Sequence, residues 1–112
     1  VISEFGDVVV VPFPFVDLPI VKRRPAIVFS SRDFNSANDH SVLVMITTGA
    51  GSAWPSDIEI VDRESAGLAH RSLVRWKLFT LPNQAILRLI GRLGPGDRAA
   101  VEATARSAFA RA

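Results

Sequence analysis

Four consecutive valines, Val8 to Val11, stand between Asp7 and Pro12 near the start of the chain. Valine is branched at Cβ and stiff at χ1, so such a run favours an extended strand over a helix. Every position in it is apolar, which calls for a strand buried on both faces. A second apolar run, Ala26 to Phe29, ends at Ser30-Ser31. The connection between the runs carries Pro12, Pro14 and Pro19, then Lys22-Arg23-Arg24-Pro25. Proline lacks an N–H and fixes φ, so this connection is expected to interrupt the ladder, with strands at about Asp7–Phe13 and Pro25–Ser31. Pro25 also biases Arg24 towards an extended conformation. A basic triplet is thereby held at the mouth of a strand, beside an apolar loop with one acid, Asp17.

The rest of the chain reads as short strands. Ser41 to Thr47 is Val-rich and runs into a flexible turn with Gly49 and Gly51. Asp57 to Asp62 alternates polar and apolar residues, the pattern of a half-exposed strand. Ser72 to Leu81 alternates too, with Val74, Trp76 and Leu78 on one face and Arg75 and Lys77 on the other. Ile86 to Leu93 suits a strand or a helix. Arg32 to Asp39 is a polar loop or a single helical turn, and Asp62 to Leu68 is a second polar connection closed by Gly67. Gly94-Pro95 fits the start of a helix, with Asp97 favourably placed against its dipole. Val101, Thr104, Ala105, Ala108 and Phe109 form one helical stripe, and Arg98, Glu102 and Arg106 another. The expected fold is therefore mainly β with a C-terminal α-helix, a small barrel in a single domain spanning 1–112.

Composition narrows the function classes. In 112 residues, 48% are hydrophobic and 21% charged, an ordinary globular balance. No apolar run reaches the roughly 18 residues a bilayer span needs, and no signal peptide is evident. With no cysteine, a reducing cytosol is expected and thiolate metal sites are excluded. His40 and His70 fall in expected loops without metal-ligand spacing, so no metal and no cofactor are expected. A net charge of +2 is too small to argue nucleic-acid binding by itself. Its distribution says more: Lys22, Arg23, Arg24, Arg71, Arg75, Lys77, Arg88 and Arg92 lie at strand ends or alternate along strands, as a basic face would require.

Two groups suit phosphate chemistry. Arg24 carries a fork that matches phosphate bidentately, although it could equally cap Asp17 or Asp57. Thr47 is a strand-end hydroxyl beside a glycine turn and can donate to a phosphate oxygen, or be an ordinary strand threonine. Phe15 either packs within its own loop or stacks a base.

Taken together, GDVVVVPFPFVD from Gly6 and KRRPAIVFSS from Lys22 resemble the PemK/MazF family of toxin–antitoxin endoribonucleases. The likeness continues in order through Val44–Thr48, Trp54–Ile58, Ala66–Leu68, Ser72–Arg75, Lys77-Leu78 and Ile90–Leu93. It implies an SH3-like β-barrel, a homodimer and a cognate antitoxin that covers the active site. It also implies metal-independent cleavage of single-stranded RNA to a cyclic phosphate and a 5′-hydroxyl. The family's essential arginine precedes this proline and maps onto Arg24. Its partner hydroxyl maps onto Thr47, with Thr48 the alternative. Phe15, Asp17, Lys22, Arg23, Thr48, Trp54 and Asp57 are the RNA contacts the resemblance suggests, with packing or strand capping the other reading for Trp54 and Asp57. A non-enzymatic rival exists, because gyrase-inhibiting toxins share the fold. Those relatives end in Trp-Gly-Ile, whereas this chain ends Phe109-Ala110-Arg111-Ala112. The loop also departs from the pattern at Pro19-Ile20-Val21, where more polar residues are usual.

Overall fold

The computed structural model of the chain describes residues 2–13 and 22–110. Its strands are β1 (Asp7–Phe13), β2 (Lys22–Val28), β3 (His40–Thr47), β4 (Ile58–Glu59), β5 (Leu73–Pro82) and β6 (Arg88–Arg92). Helix α1 (Arg32–Asn38) joins β2 to β3, α2 (Arg63–Ala66) joins β4 to β5, and α3 (Pro95–Ala108) follows β6. The described strands form one antiparallel sheet in the order β4-β5-β3-β2-β1-β6, curled into a half-barrel.

The valine run lies one strand in from the β6 edge of this sheet, between β2 and β6, and buries both faces, as its composition requires. Val8 packs with Ile27, Val44, Ile46, Val74 and Val101 of α3 in one core. Val9 and Val11 point the other way, onto Ala26, Val28, Leu43 and Leu81.

The expected interruption of the β1–β2 ladder does not occur. β2 begins at Lys22 rather than Pro25, and the register runs through Val10↔Pro25, Val11↔Arg24, Pro12↔Arg23 and Phe13↔Lys22. The reason is the direction of the missing donors. Val10 O accepts from Leu87 N on the β6 side, so Val10 and Pro12 turn their backbone groups away from β2. Pro25, opposite Val10, likewise turns its nitrogen towards β3, whose pairing with β2 stops one residue on, at Ala26↔Met45. Both prolines sit where the shared ladder needs no N–H.

The strand expected over Asp57–Asp62 is only two residues long. Its continuation is intercepted by Asp97 at the start of α3. That buried carboxylate accepts from Val61 N at 3.0 Å and Asp62 N at 2.9 Å. Asp62 in turn caps α2, accepting from Ser65 N at 3.1 Å, and the Ser65 hydroxyl bond holds its carboxyl below the usual range. The polar connection is therefore a short helix, ended by Gly67 in the left-handed region at φ 72°. Segment 32–38 is likewise a helix, with Ser31 as its cap, and His40 opens β3 instead of lying in a loop.

Of the two readings open for 86–93, the strand holds, because β6 pairs with β1. The helix α3 starts as expected, with Gly94 capping and Pro95 in its first turn. Its stripe buries Val101 fully, and Arg98 pairs with Glu102 at 3.3 Å. Phe109 closes the stripe by stacking on Phe29, 5.9 Å between centroids, while remaining 45% exposed. No helix among the described residues is long and apolar enough to cross a membrane.

Candidate functional site

Antiparallel register brings the two phosphate-binding candidates to one end of the sheet. In β2, Arg24 shares a face with Ala26 and Val28; in β3, Thr47 shares a face with Leu43 and Met45. Pairing of β2 with β3 runs Val28↔Leu43, Ile27↔Val44, Ala26↔Met45. Continued two residues further, that register sets Arg24 level with Thr47. Both then stand at the margin of the face that carries Val11, the partner of Arg24 in β1.

Lys22, Arg23 and Arg24 are exposed, and among the described residues no carboxylate pairs with them. Of the two carboxylates proposed as caps for Arg24, Asp57 is committed elsewhere, as set out below. Asp17 lies outside the described residues, as does Phe15. The Thr47 hydroxyl accepts from Gly49 N at 3.2 Å and that of Thr48 from Ala50 N at 3.4 Å. Each hydroxyl proton remains available to donate. Thr47 is half-buried and Thr48 exposed.

The loop 48–57 that leaves Thr47 is held by a residue the alternating pattern of β5 misplaces. Arg75 was expected on an exposed basic face with Lys77. It is 6% exposed, and β5 bulges at this point, so that Met45 faces Arg75 while Val44 faces Leu78. The bulge leaves Leu78 40% exposed and turns Arg75 inward over the loop. Its Nη2 and Nε bond the two Asp57 oxygens at 2.7 and 3.1 Å, and Nη1 bonds Ser52 Oγ at 3.0 Å. Asp57 Oδ2 also accepts from Trp54 N at 2.9 Å. Trp54 lies against two cations, Arg75 Cζ at 5.5 Å and Lys77 Nζ at 5.7 Å from its ring centroid. Trp54 and Asp57 are thus brought together over Arg75, whose partner in β3 is Met45, two residues before Thr47. Arg75 and Ser52 are the members that sequence reasoning missed. The usable signal was an acid, Asp57, after a tight turn, facing a strand arginine.

The Arg75 bond holds the Asp57 carboxyl below the usual range, with backbone donation from Trp54 acting the same way; Asp57 reciprocally raises Arg75. A depressed carboxyl contributes stability that is complete above its unfolded value of about 3.9 and is lost as pH falls through the lower folded value. The gap in Tm between the native chain and Asp57→Asn is therefore expected to stay constant from pH 7 to about pH 4 and to narrow below it. Thermal melts from pH 7 to pH 2 check this; a gap independent of pH would refute it. Among the described residues no group of three or more His, Asp or Glu is placed to hold a metal ion.

A family profile described as PemK-like, MazF-like toxin of type II toxin-antitoxin system matches residues 4–109. No curated protein sequence matches significantly. Solved structures do. MazE-MazF (Form-III) from Deinococcus radiodurans superposes with a TM-score of 0.76 at 15% identity, over 96% of this chain and 95% of that one. MazF (Form-I) from the same organism gives 0.72 at 19% identity, over 96% of each chain. An endoribonuclease in complex with its cognate antitoxin, from Mycobacterial species, gives 0.73 at 14% identity, over 95% and 91%. At such identities the likeness establishes the fold.

Proposed function

The chain belongs to the PemK-like, MazF-like toxin family of type II toxin-antitoxin systems, and from that membership we propose that it is a sequence-selective endoribonuclease acting on single-stranded RNA in the cytoplasm. What supports the reading is the β2–β3 register, which ends at Ala26↔Met45 and, extended by two residues, would set Arg24 level with Thr47, together with an Arg24 charge that has no ion pair among the described residues.

The chemistry follows from what those groups can do. The ribose 2′-hydroxyl gives its proton to a base as its oxygen attacks the adjacent phosphorus, and the 5′-oxygen of the next nucleotide leaves and takes up a proton, giving a cyclic phosphate and a 5′-hydroxyl. Negative charge accumulates on the non-bridging oxygens in the transition state. A guanidinium fork that meets those oxygens stabilises that charge more than it stabilises the ground-state phosphodiester. Thr47 adds a neutral donor to the same oxygens. A guanidinium keeps its charge at any working pH, so Arg24 suits charge stabilisation and the base is another group. Lys22, Arg23 and Thr48 suit contacts to flanking phosphates.

The reading includes a cognate antitoxin, as in the complexes of similar fold. It also includes a homodimer, supported by the exposed Leu87 and Leu89 at the β6 edge of the sheet.

The test is incubation of the purified protein with a long single-stranded RNA in the presence of EDTA. Discrete fragments ending in cyclic phosphate are expected, and their ends give the recognition sequence. Intact RNA would refute the nuclease reading and favour a toxin that binds a protein target such as gyrase. Thr47→Val is expected to slow cleavage by about a hundredfold, the low end of the effect of losing one donor to the phosphorane, and Thr48→Val by less than about threefold. The reverse order would move the hydroxyl to Thr48.

A further inference from the structure

Trp54 stands on a surface loop whose backbone is tied to Asp57. Its backbone N–H donates to Asp57 and its carbonyl accepts from Asp57 N at 3.0 Å. Its ring lies against the cations of Arg75 and Lys77, yet the residue stays 38% exposed. A fixed, half-open aromatic ring beside an exposed lysine is the composition of a nucleobase platform: the ring stacks the base and the ammonium meets the neighbouring phosphate.

Arg75 makes this platform rigid. Four of its five N–H groups go to Asp57 and Ser52, and its side chain is 7% exposed, so it braces the loop from beneath instead of facing solvent. Its place in the strand also fixes where the platform lies. Arg75 faces Met45, two residues, or about 7 Å, before Thr47.

Building on the nuclease reading, we infer that Trp54 is a stacking subsite for an unpaired nucleobase next to the cleaved phosphate, and that Arg75 is its positioning residue, acting through Asp57 and Ser52. Stacking tolerates any base, so this subsite supplies affinity for single strands and leaves base identity to other contacts.

The experiment is steady-state cleavage of a short RNA carrying the cut site of the native protein, beside a series with each flanking nucleotide made abasic in turn. Trp54→Ala is expected to raise KM about tenfold with kcat changed less than about threefold, and Trp54→Phe to restore most of the loss. One abasic position should cost the native protein a similar factor and cost Trp54→Ala nothing further. Arg75→Met should reproduce both effects, and its combination with Trp54→Ala should add little, since both remove the same platform. Where Arg75→Met does not fold, Ser52→Ala with Asp57→Asn carries the same comparison. An unchanged KM in Trp54→Ala overturns the inference. So does an abasic penalty that persists in that variant at every position, or an Arg75 effect that multiplies with that of Trp54. In those cases the native protein still cuts RNA and the nuclease reading stands. A native protein that cuts no RNA overturns both.

Discussion

Arg24→Ala is expected to lower RNA cleavage by about a thousandfold while leaving Tm within about 2 °C of the native value. The rate effect is large because the transition state for phosphoryl transfer concentrates charge where a fixed fork can meet it. Removing one preoriented donor in such sites costs on the order of a hundredfold to a thousandfold, and a guanidinium contributes two donors and a full charge. The stability effect is small because Arg24 is exposed and, among the described residues, holds no ion pair; exposed substitutions away from packed features are usually worth less than about 0.5 kcal/mol. Arg24→Lys separates charge from geometry. It should recover only part of the rate, since an ammonium cannot bridge two phosphate oxygens in one plane. Cleavage assays of the three proteins, beside thermal melts, decide the matter. A fully active Arg24→Ala would remove Arg24 from the site, and an unfolded one would show that its role is structural.

The second large effect concerns stability. Gly67→Ala is expected to destabilise the chain by about 3 kcal/mol, a fall of about 10 °C or more in Tm. Two independent costs converge there. At φ 72° the residue is in the left-handed region, where any Cβ costs about 1–2 kcal/mol. That Cβ would also lie 2.0 Å from the backbone oxygen of Ile90, which cannot rotate aside. The opposing surface has the same need: a Cβ on Gly91 would stand 2.4 Å from the backbone of Ala66. Helix α2 and strand β6 thus cross with their backbones in contact, and Ala66 is fully buried beneath the crossing. Gly96→Ala is the control. Nothing lies within 4 Å of its added Cβ, in the first turn of α3. Stability there should be unchanged or rise by up to about 0.5 kcal/mol, because alanine restricts the unfolded chain. Equal Tm values for Gly67→Ala and Gly96→Ala would refute the crossing argument.

Much of this molecule is legible from local chemistry. Val8–Val11 could only be a two-face strand, because β-branched residues in sequence suit an extended backbone and nothing polar marks an exposed side. Gly94-Pro95 with Asp97 announces a helix start, because the requirements of a first helical turn are met by neighbours in the chain. The extended backbone at Arg24 was legible for a similar reason, since Pro25 constrains the residue before it.

The misreadings share a cause of another kind. Each depended on a partner distant in sequence. Whether Pro12 and Pro25 break a ladder turns on which way their nitrogens face, and only the register of β1 against β2 and β6 decides that. Asp97 reaches back 36 residues to take the Val61 N–H, so the alternation of 57–62 yields two strand residues instead of six. Arg75 sits in a pattern that spells exposure, and a bulge opposite Val44-Met45 turns it inward onto Asp57. By itself, then, the sequence determined most of the strand-forming segments and the last helix, because those depend on side-chain shape and near neighbours. Only the tertiary structure decided which of them stand together. Register, bulges and buried hydrogen bonds are set by long-range pairing, and no local pattern encodes the partner.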